Sequence, residues 1–136
     1  MTVSLHNITV DCGDARALAT FWSGLTGWNV YYDDDPEVLL APTYPPQAFP
    51  TMLFIPVPEG KSAKNRIHLD LQPTDCTRDE QVEQAISLGA TVLADHRNAD
   101  GTGWVTMADP EGNEFCIEHS TGERRAGGPQ QIRLTL

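Results

Sequence analysis

The sequence contains the same strand–helix succession twice, at matching distances. His6 precedes a helix-ending glycine, Gly27, by twenty-one residues, and His68 precedes Gly89 by the same interval. Each histidine lies in a short run of alternating apolar and polar residues, which is typical of a strand, and glycine is the residue type that most often ends a helix. The repeat predicts two similar modules that face one another across a shared small-molecule site.

In the first half, alternation predicts a strand over 4–10, in which His6 and Ile8 share one face. Asp14 is the predicted N-cap of a helix, because apolar residues follow it at helical spacing as far as Gly27. The remaining pattern predicts strands at 28–32, 38–40 and 51–57 and a proline-rich loop at 42–50. The aromatic residues of that loop either border a pocket or lie on the surface.

The second half begins with a predicted strand over 66–72 that carries His68. Thr77 and Glu80 form a capping-box pattern at the start of a helix. Asp109-Pro110-Glu111-Gly112-Asn113 has the turn chemistry of a hairpin. Further strands are predicted at 91–93, 103–107 and 114–119.

Both halves therefore predict the order β-α-β-β-β. We expect an α+β fold in which two βαβββ modules form a curled mixed sheet, or cup, with the helices on its outside. The modules are 1–60 and 61–120, which together make one domain. Residues 121–136 form a tail that is disordered, adds an edge strand or makes an oligomer contact.

Composition excludes several kinds of partner. The formal net charge of −10 disfavours contact with nucleic acid and with anionic membranes. No apolar run approaches the roughly 20 residues that cross a bilayer, and no signal peptide is recognisable, so we expect a cytoplasmic protein. Walker and GxGxxG patterns are absent, which argues against a nucleotide cofactor. The three cysteines include no CxxC pair, which argues against a disulfide framework.

Two histidines and a carboxylate are candidates for a metal site. Such a set on one face suits iron, manganese, nickel or zinc and leaves coordination positions open. His6, His68 and Glu118 form the set if the first strands of both modules and the last strand line one concavity. Taken singly, each is more often a half-buried or solvated strand residue than a ligand. Their placement at equivalent ends of the repeats favours a divalent metal as the cofactor.

Other residues on these strands are candidates for binding a substrate. Asp70 lies on the face predicted for the metal set, where it either orients a ligand or forms a rim charge. Trp104 and Thr106 share a strand face, either as core packing or as a pocket wall. Cys116 shares a strand face with Glu118 and is otherwise a buried, reduced thiol.

At these residues the sequence resembles the vicinal oxygen chelate superfamily, the glyoxalase/bleomycin-resistance/extradiol-dioxygenase fold, over about residues 3–120. The resemblance rests on Leu5-His6-Asn7-Ile8-Thr9-Val10, Phe21-Trp22, Leu25-Thr26-Gly27-Trp28, Ile67-His68-Leu69-Asp70-Leu71, Leu88-Gly89-Ala90 and Asp109-Pro110-Glu111-Gly112-Asn113-Glu114-Phe115-Cys116. It implies paired βαβββ modules, metal ligands at His6, His68 and Glu118, and a homodimer. The fourth ligand position falls near Ile55, which cannot coordinate a metal and is instead a candidate substrate contact, so the set is more similar to that of extradiol dioxygenases.

Three functions follow as hypotheses. The first is a metal-dependent enzyme, of lyase, isomerase or dioxygenase type, whose ion chelates two adjacent oxygens of a small substrate. The second is a metal-free protein that binds a small molecule or antibiotic, as bleomycin-resistance proteins do. The third is an accessory module that acts through residues 121–136.

Overall fold

The computed structural model describes residues 1–32, 34–43, 45–46, 50–120 and 122–123. The predictions for the tail, apart from 122–123, and for Tyr44 and Phe49 in the proline-rich loop lie outside the described residues. The chain divides into two units. The first comprises Met1–Lys64 and Asp109–Asn113, and the second comprises Asn65–Ala108 and the chain from Glu114 onward.

The described residues of the first unit form one helix and four strands. These are β1 (Asn7–Cys12), α1 (Ala15–Thr26), β2 (Asn29–Tyr31), β3 (Val38–Ala41) and β4 (Thr51–Pro56). The sheet has the order β1-β4-β3-β2, with β1 parallel to β4 and the other pairs antiparallel. A parallel pair cannot be joined by a tight turn, so the intervening chain, including α1, forms the crossover.

The ends of α1 are where the sequence predicts them. The Asp14 side chain accepts a hydrogen bond from the Ala17 backbone N–H at 3.1 Å, which satisfies one of the helix's free amide groups. Gly27 ends the helix with a φ of 75°, a left-handed conformation that glycine adopts without a steric penalty. Leu18, Phe21 and Trp22 are buried on the inner side of α1.

The second unit repeats the same order of elements. These are β5 (Leu69–Leu71), α2 (Arg78–Leu88), β6 (Thr91–Asp95), β7 (Val105–Ala108) and β8 (Glu114–Ile117). The sheet has the order β5-β8-β7-β6, again with the first and last strands parallel. Thr77 and Glu80 form the predicted capping box, and Gly89 ends α2. The predicted α+β fold of two βαβββ modules is therefore confirmed. A bilayer-crossing helix, which would need greater length and a more apolar composition than α1 or α2, is absent from the described residues.

Alternation gives the second sheet two chemically different faces. One face carries fully buried apolar side chains, which pair across the strands as Met107 with Phe115 and Val105 with Ile117. Each such side chain contributes about 1.5–3 kcal/mol by leaving water. Successive strand residues point to opposite sides, so the residues between them, including Thr106, lie on the other face. We call this other side the open face of the second sheet.

A buried carboxylate organises the turn between β7 and β8. Asp109 is only 4% exposed and accepts hydrogen bonds from the backbone N–H groups of Glu111 and Asn113 at 2.9 and 3.0 Å. It also accepts one from the indole N–H of Trp22 at 3.1 Å. The carboxylate of Glu111 in turn accepts hydrogen bonds from the backbone N–H groups of Gly13 and Asp14. The predicted turn is thus hydrogen-bonded to the beginning of α1 through Glu111 and to the buried side of α1 through Asp109.

Replacing this carboxylate should destabilise the protein. Asp109→Ala leaves the buried indole N–H of Trp22 and two turn amides without their acceptor, so we expect the free energy of unfolding to fall by about 2–4 kcal/mol. Urea unfolding followed by tryptophan fluorescence measures the change. Asp34→Ala, in an exposed turn, is the control and should change stability by less than about 0.5 kcal/mol. An equal effect of both variants would contradict the role assigned to Asp109.

Candidate functional site

Three of the candidate residues converge on the open face of the second sheet. His68, Asp70 and Cys116 each place one donor atom within 4.8 Å of the donor atoms of the other two. His68 Nε2 lies 3.5 Å from Asp70 Oδ1. An imidazole, a carboxylate and a thiol therefore lie together at one place.

Strand pairing explains the convergence. Asp70 on β5 is the direct partner of Cys116 on β8, which is in turn the partner of Thr106 on β7. Paired residues on neighbouring strands project their side chains from the same face, so these three form a row across the open face. His68 immediately precedes β5 and, two residues before Asp70, continues on the same side.

Cys116 is the buried member of the cluster. It is 5% exposed, and its Sγ lies 3.5 Å from Oγ1 of Thr106. Burial raises the pKa of the Cys116 thiol. The negative charges of Asp70 and Glu118 raise this pKa further, whereas the hydrogen bond with Thr106 lowers it. The thiol is therefore the form expected at neutral pH unless a cation lies beside it.

The donor set fits a divalent metal. Ligands 2.0–2.3 Å from a tetrahedral ion are roughly 3.3–3.8 Å apart, which matches the 3.5 Å separation of His68 Nε2 and Asp70 Oδ1. The side chains of His68 and Asp70 are 41% and 55% exposed, so small rotations can bring both towards an ion above Cys116. Three protein donors leave at least one coordination position for water or a substrate.

Glu118, a predicted metal ligand, lies just beyond the end of β8. Its backbone N–H donates to the carbonyl of Leu71 at 2.9 Å, which continues the pairing with β5. The side chain is partly buried, and its charge acts on Cys116 two residues earlier. Glu118 thus belongs to the same electrostatic environment as the cluster, and its role as a ligand stays a prediction.

His6 and Ile55, the candidates of the first unit, fall on different sides of the first sheet. Ile8 pairs with the buried Met52, and alternation carried back from Ile8 puts His6 on that same side. Ile55 pairs with Asp11, on the opposite side. His6 is exposed and lies just before β1, whereas the sequence predicts it within the strand. Its assignment as a metal ligand, and that of Ile55 as a substrate contact, stay predictions.

The equal spacing of histidine and glycine in the sequence conceals a difference in where the strands and helices of the two modules begin and end. β1 ends at Cys12 and the cap of α1 is Asp14, whereas β5 ends at Leu71 and the cap of α2 is Thr77. The interval from histidine to glycine is thus divided differently between strand, loop and helix in the two units. Because the side-chain period of a strand is two, a change of one residue moves a side chain to the other face.

Trp104 lies at the edge of the open face. It immediately precedes β7, is 44% exposed, and shares the alternation of Thr106. Its ring packs on that of His96, with centroids 4.8 Å apart and planes inclined by 30°. His96 is itself exposed, and its imidazole supports the indole.

A buried arginine holds the loop that carries this ring pair. Arg78 is 5% exposed, and its Nη1 donates to the carbonyls of Gly101, Thr102 and Gly103 at 3.0–3.3 Å. Gly103 has a φ of 95°, and a Cβ there would lie 2.0 Å from the carbonyl oxygen of His96. Sequence analysis missed Arg78, because an arginine after a helix cap is usually solvated and only tertiary packing buries it.

The first unit has a separate hollow of about 300 Å³. It is lined by Tyr31, Tyr32, Asp35, Glu37, Leu39 and Leu53. Tyr31, Leu39 and Leu53 pair across β2, β3 and β4, so they share the face opposite the buried one. The guanidinium carbon of Arg16 lies 4.2 Å from the ring centroid of Tyr32, which is a cation–π contact within the chain. Sequence analysis missed the hollow because its residues come from three strands and a turn.

Comparison with known proteins gives the chain a family context. The glyoxalase-like domain family matches residues 7–118. No curated protein sequence matches significantly. A hypothetical protein from S. aureus has 17% identity and a TM-score of 0.65, with 87% of this chain and 94% of that one covered. A glyoxalase/bleomycin resistance/dioxygenase family enzyme from Burkholderia phytofirmans has 18% identity and a TM-score of 0.61, with coverages of 85% and 97%.

A third similar structure contains a metal. It is a mutant of the fosfomycin resistance protein FosX from Listeria monocytogenes, in complex with Mn(II) and 1S,2S-dihydroxypropylphosphonic acid. Its sequence is 16% identical, its TM-score is 0.65, and the match covers 92% of this chain and 95% of that one. At such identities these three structures establish the fold alone. The predicted resemblance is confirmed by the family match together with this fold.

The ion pairs beside the Trp104 loop should make stability depend on pH. Nη2 of Arg97 lies 2.7 Å from Oδ2 of Asp95, and Arg97 holds the pKa of the Asp95 carboxyl at about 2. The folded pKa is below the unfolded value of about 3.9, so the stabilisation is complete above pH 4 and is lost as the pH falls towards 2. Asp95→Asn should flatten the dependence of the unfolding temperature on pH in this range.

Asp75→Asn, at another exposed position of the second unit, is the control for this measurement. Circular dichroism melts at pH 2–6 compare the three proteins. Identical curves for the wild type and Asp95→Asn would contradict the proposed contribution of the Asp95–Arg97 pair.

Proposed function

The chain belongs to the glyoxalase-like domain family, and we propose that it is a divalent-metal-dependent enzyme that acts on a small molecule with two adjacent oxygens. The cluster of His68, Asp70 and Cys116 is the observation that carries the proposal. The similar structure that contains Mn(II) and a dihydroxy compound supports it, because the same fold there accommodates an ion and a vicinal diol. The sequence-based expectations of a single domain over 1–120 and of a homodimer belong to the same proposal.

Each residue of the open face has a role in this proposal. His68, Asp70 and Cys116 would hold the ion, which when bound supplies Lewis acidity for chemistry of lyase, isomerase or dioxygenase type. The hydroxyl of Thr106 keeps the Cys116 side chain in place. Trp104, supported by His96, forms an apolar wall that orients the substrate and excludes water on one side.

In this proposal Glu118 acts as the proton acceptor, a role that takes the place of its sequence-based assignment as a metal ligand. It is partly buried, follows Cys116 on the same side of β8, and lies outside the three-donor cluster. A carboxylate beside the bound substrate can remove a proton from the carbon next to the substrate's adjacent oxygens. Its carboxylate oxygen would hold that proton until it is returned or lost to water.

Loss of the cluster donors should weaken metal binding. We expect the full-length chain to bind one divalent ion, and His68→Ala or Asp70→Ala to reduce its affinity by about tenfold or more, because even indirect partners of a metal commonly contribute that much. Isothermal titration and elemental analysis of protein purified without chelators measure this. His6→Ala tests the separate sequence-based assignment of His6.

The matched control is His96→Ala, since this imidazole lies in the same unit and outside the cluster. It should leave the metal affinity within about twofold of the wild type. Failure of the wild type to bind any divalent ion, or equal losses in His68→Ala and His96→Ala, would overturn the proposed metal centre.

A metal-free binding protein is the second candidate, and the hollow of the first unit favours it. Two tyrosine rings and the carboxylates of Asp35 and Glu37 line this hollow. Aromatic faces and carboxylates together recognise organic cations. The net charge of −10 would also favour a cationic ligand.

Benzyltrimethylammonium is a suitable probe for this second candidate. Its binding, measured by calorimetry in the presence of a chelator, should weaken by about fivefold or more in Tyr32→Ala, because a cation–π contact contributes on the order of 1 kcal/mol. Trp104→Ala, in the other unit, is the control. Absence of binding to the wild type would remove the support for a metal-free cation-binding role.

A further inference from the structure

The donor set on the open face differs from an all-oxygen or imidazole–carboxylate set, because one of its three members is sulfur. Cys116 contributes Sγ beside the imidazole of His68 and the carboxylate of Asp70. The identity of the donors determines which ions a site prefers, since thiolates favour zinc and related borderline ions, whereas carboxylates and water suit manganese and magnesium. The sulfur donor therefore indicates which class of ion the site prefers.

The position of the sulfur is fixed by the backbone. Asp70 and Cys116 are paired residues of adjacent parallel strands, which lie about 4.8 Å apart. The neighbouring pair of Leu71 and Ile117 is anchored on the buried face, where Ile117 is fully buried. The sulfur cannot leave the cluster by a loop movement, because its strand forms part of the core.

The three members of the cluster also differ in their exposure to solvent. Cys116 is 5% exposed, whereas the side chains of His68 and Asp70 are about half exposed. An ion that contacts all three would have sulfur on its protein side and the other two donors around it. The exposed imidazole and carboxylate leave the solvent side of the cluster accessible to a substrate.

We propose that the metal centre of this protein is thiolate-ligated: Cys116 releases its thiol proton to water as Sγ binds directly to the ion, and the site selects Zn(II) or Co(II) over Mn(II). This inference rests on the proposed metal-binding function and specifies the class of ion. The imidazole of His68 and the carboxylate of Asp70 already favour Co(II) and Zn(II) over Mn(II), and the sulfur of Cys116 enlarges this preference.

Titration of the full-length chain with Co(II) tests the proposal directly. A cobalt–thiolate bond produces an intense near-ultraviolet charge-transfer band, which nitrogen and oxygen ligands do not produce. We expect this band in the wild type and in the Cys12→Ser/Cys76→Ser double variant, which leaves Cys116 as the only cysteine. We expect Cys116→Ser, which replaces sulfur by oxygen, to lose it.

Competition between ions provides the second measurement. In Cys116→Ser the affinity for Zn(II) should fall about tenfold or more relative to that for Mn(II). Circular dichroism verifies that this variant is folded. If it does not fold, the spectra of the wild type and of the double variant still decide whether a thiolate binds the ion.

The outcomes separate this inference from the proposed function. Binding of Co(II) without the charge-transfer band, or a band that persists in Cys116→Ser, would overturn thiolate ligation while leaving a metal centre in place. Preference of the wild type for Mn(II) over Zn(II) would also overturn it. Failure to bind Zn(II), Co(II) and Mn(II) would overturn both proposals.

Discussion

The parallel pairing of the first and last strand in each unit is the constraint on which the rest of the structure depends. β1 pairs with β4, and β5 with β8, although long stretches of chain separate the members of each pair. Parallel strands require a crossover, so each unit must contain a helix that returns the chain across its sheet. The same pairing brings Asp70 and Cys116, which are distant in sequence, to adjacent positions. Fold and candidate site therefore have one origin.

Burial on one side of each sheet is what turns this pairing into a site. In the second unit the apolar partners of α2 occupy one face, so polar side chains on β5 and β8 can only lie on the other. Asp70, Thr106 and Cys116 thus form a row without any loop having to place them. The less regular parts of the unit, by contrast, need specific anchors. Arg78 supplies three hydrogen bonds to hold the segment before Trp104.

Local signals made the fold predictable. The caps at Asp14 and Thr77 and the terminal glycines act within a few residues of the helix ends, and the structure confirms them. The βαβββ order and the family resemblance are confirmed as well. Strand limits are less accurate: β5 is shorter than predicted, so His68 precedes it and does not lie within it. Strand ends depend on pairing partners, which a single sequence does not reveal.

The site was predictable only in part. His68, Asp70 and Cys116 are all candidates from the sequence, but His68 is the one member of this cluster that the sequence predicts as a metal ligand, and Cys116 is linked to Glu118 alone. The missing information was the register between β5 and β8, which pairs Cys116 with Asp70. Arg78 and the tyrosine-lined hollow were missed because burial and the meeting of several strands are tertiary properties. His6 and Ile55 fall on opposite sides of the first sheet because of the strand register, which is likewise a tertiary property.

The register of β5 and β8 has an evolutionary consequence. Because the backbone alone sets where the side chains of residues 70 and 116 emerge, natural substitution at either position can exchange one reactive group for another without a new fold. Descendants of a common ancestor could thus diverge in chemistry through single codon changes on an unaltered frame. Proteins with this fold are therefore expected to differ in activity because of its geometry, while the apolar side chains on the buried face of the sheet stay the same.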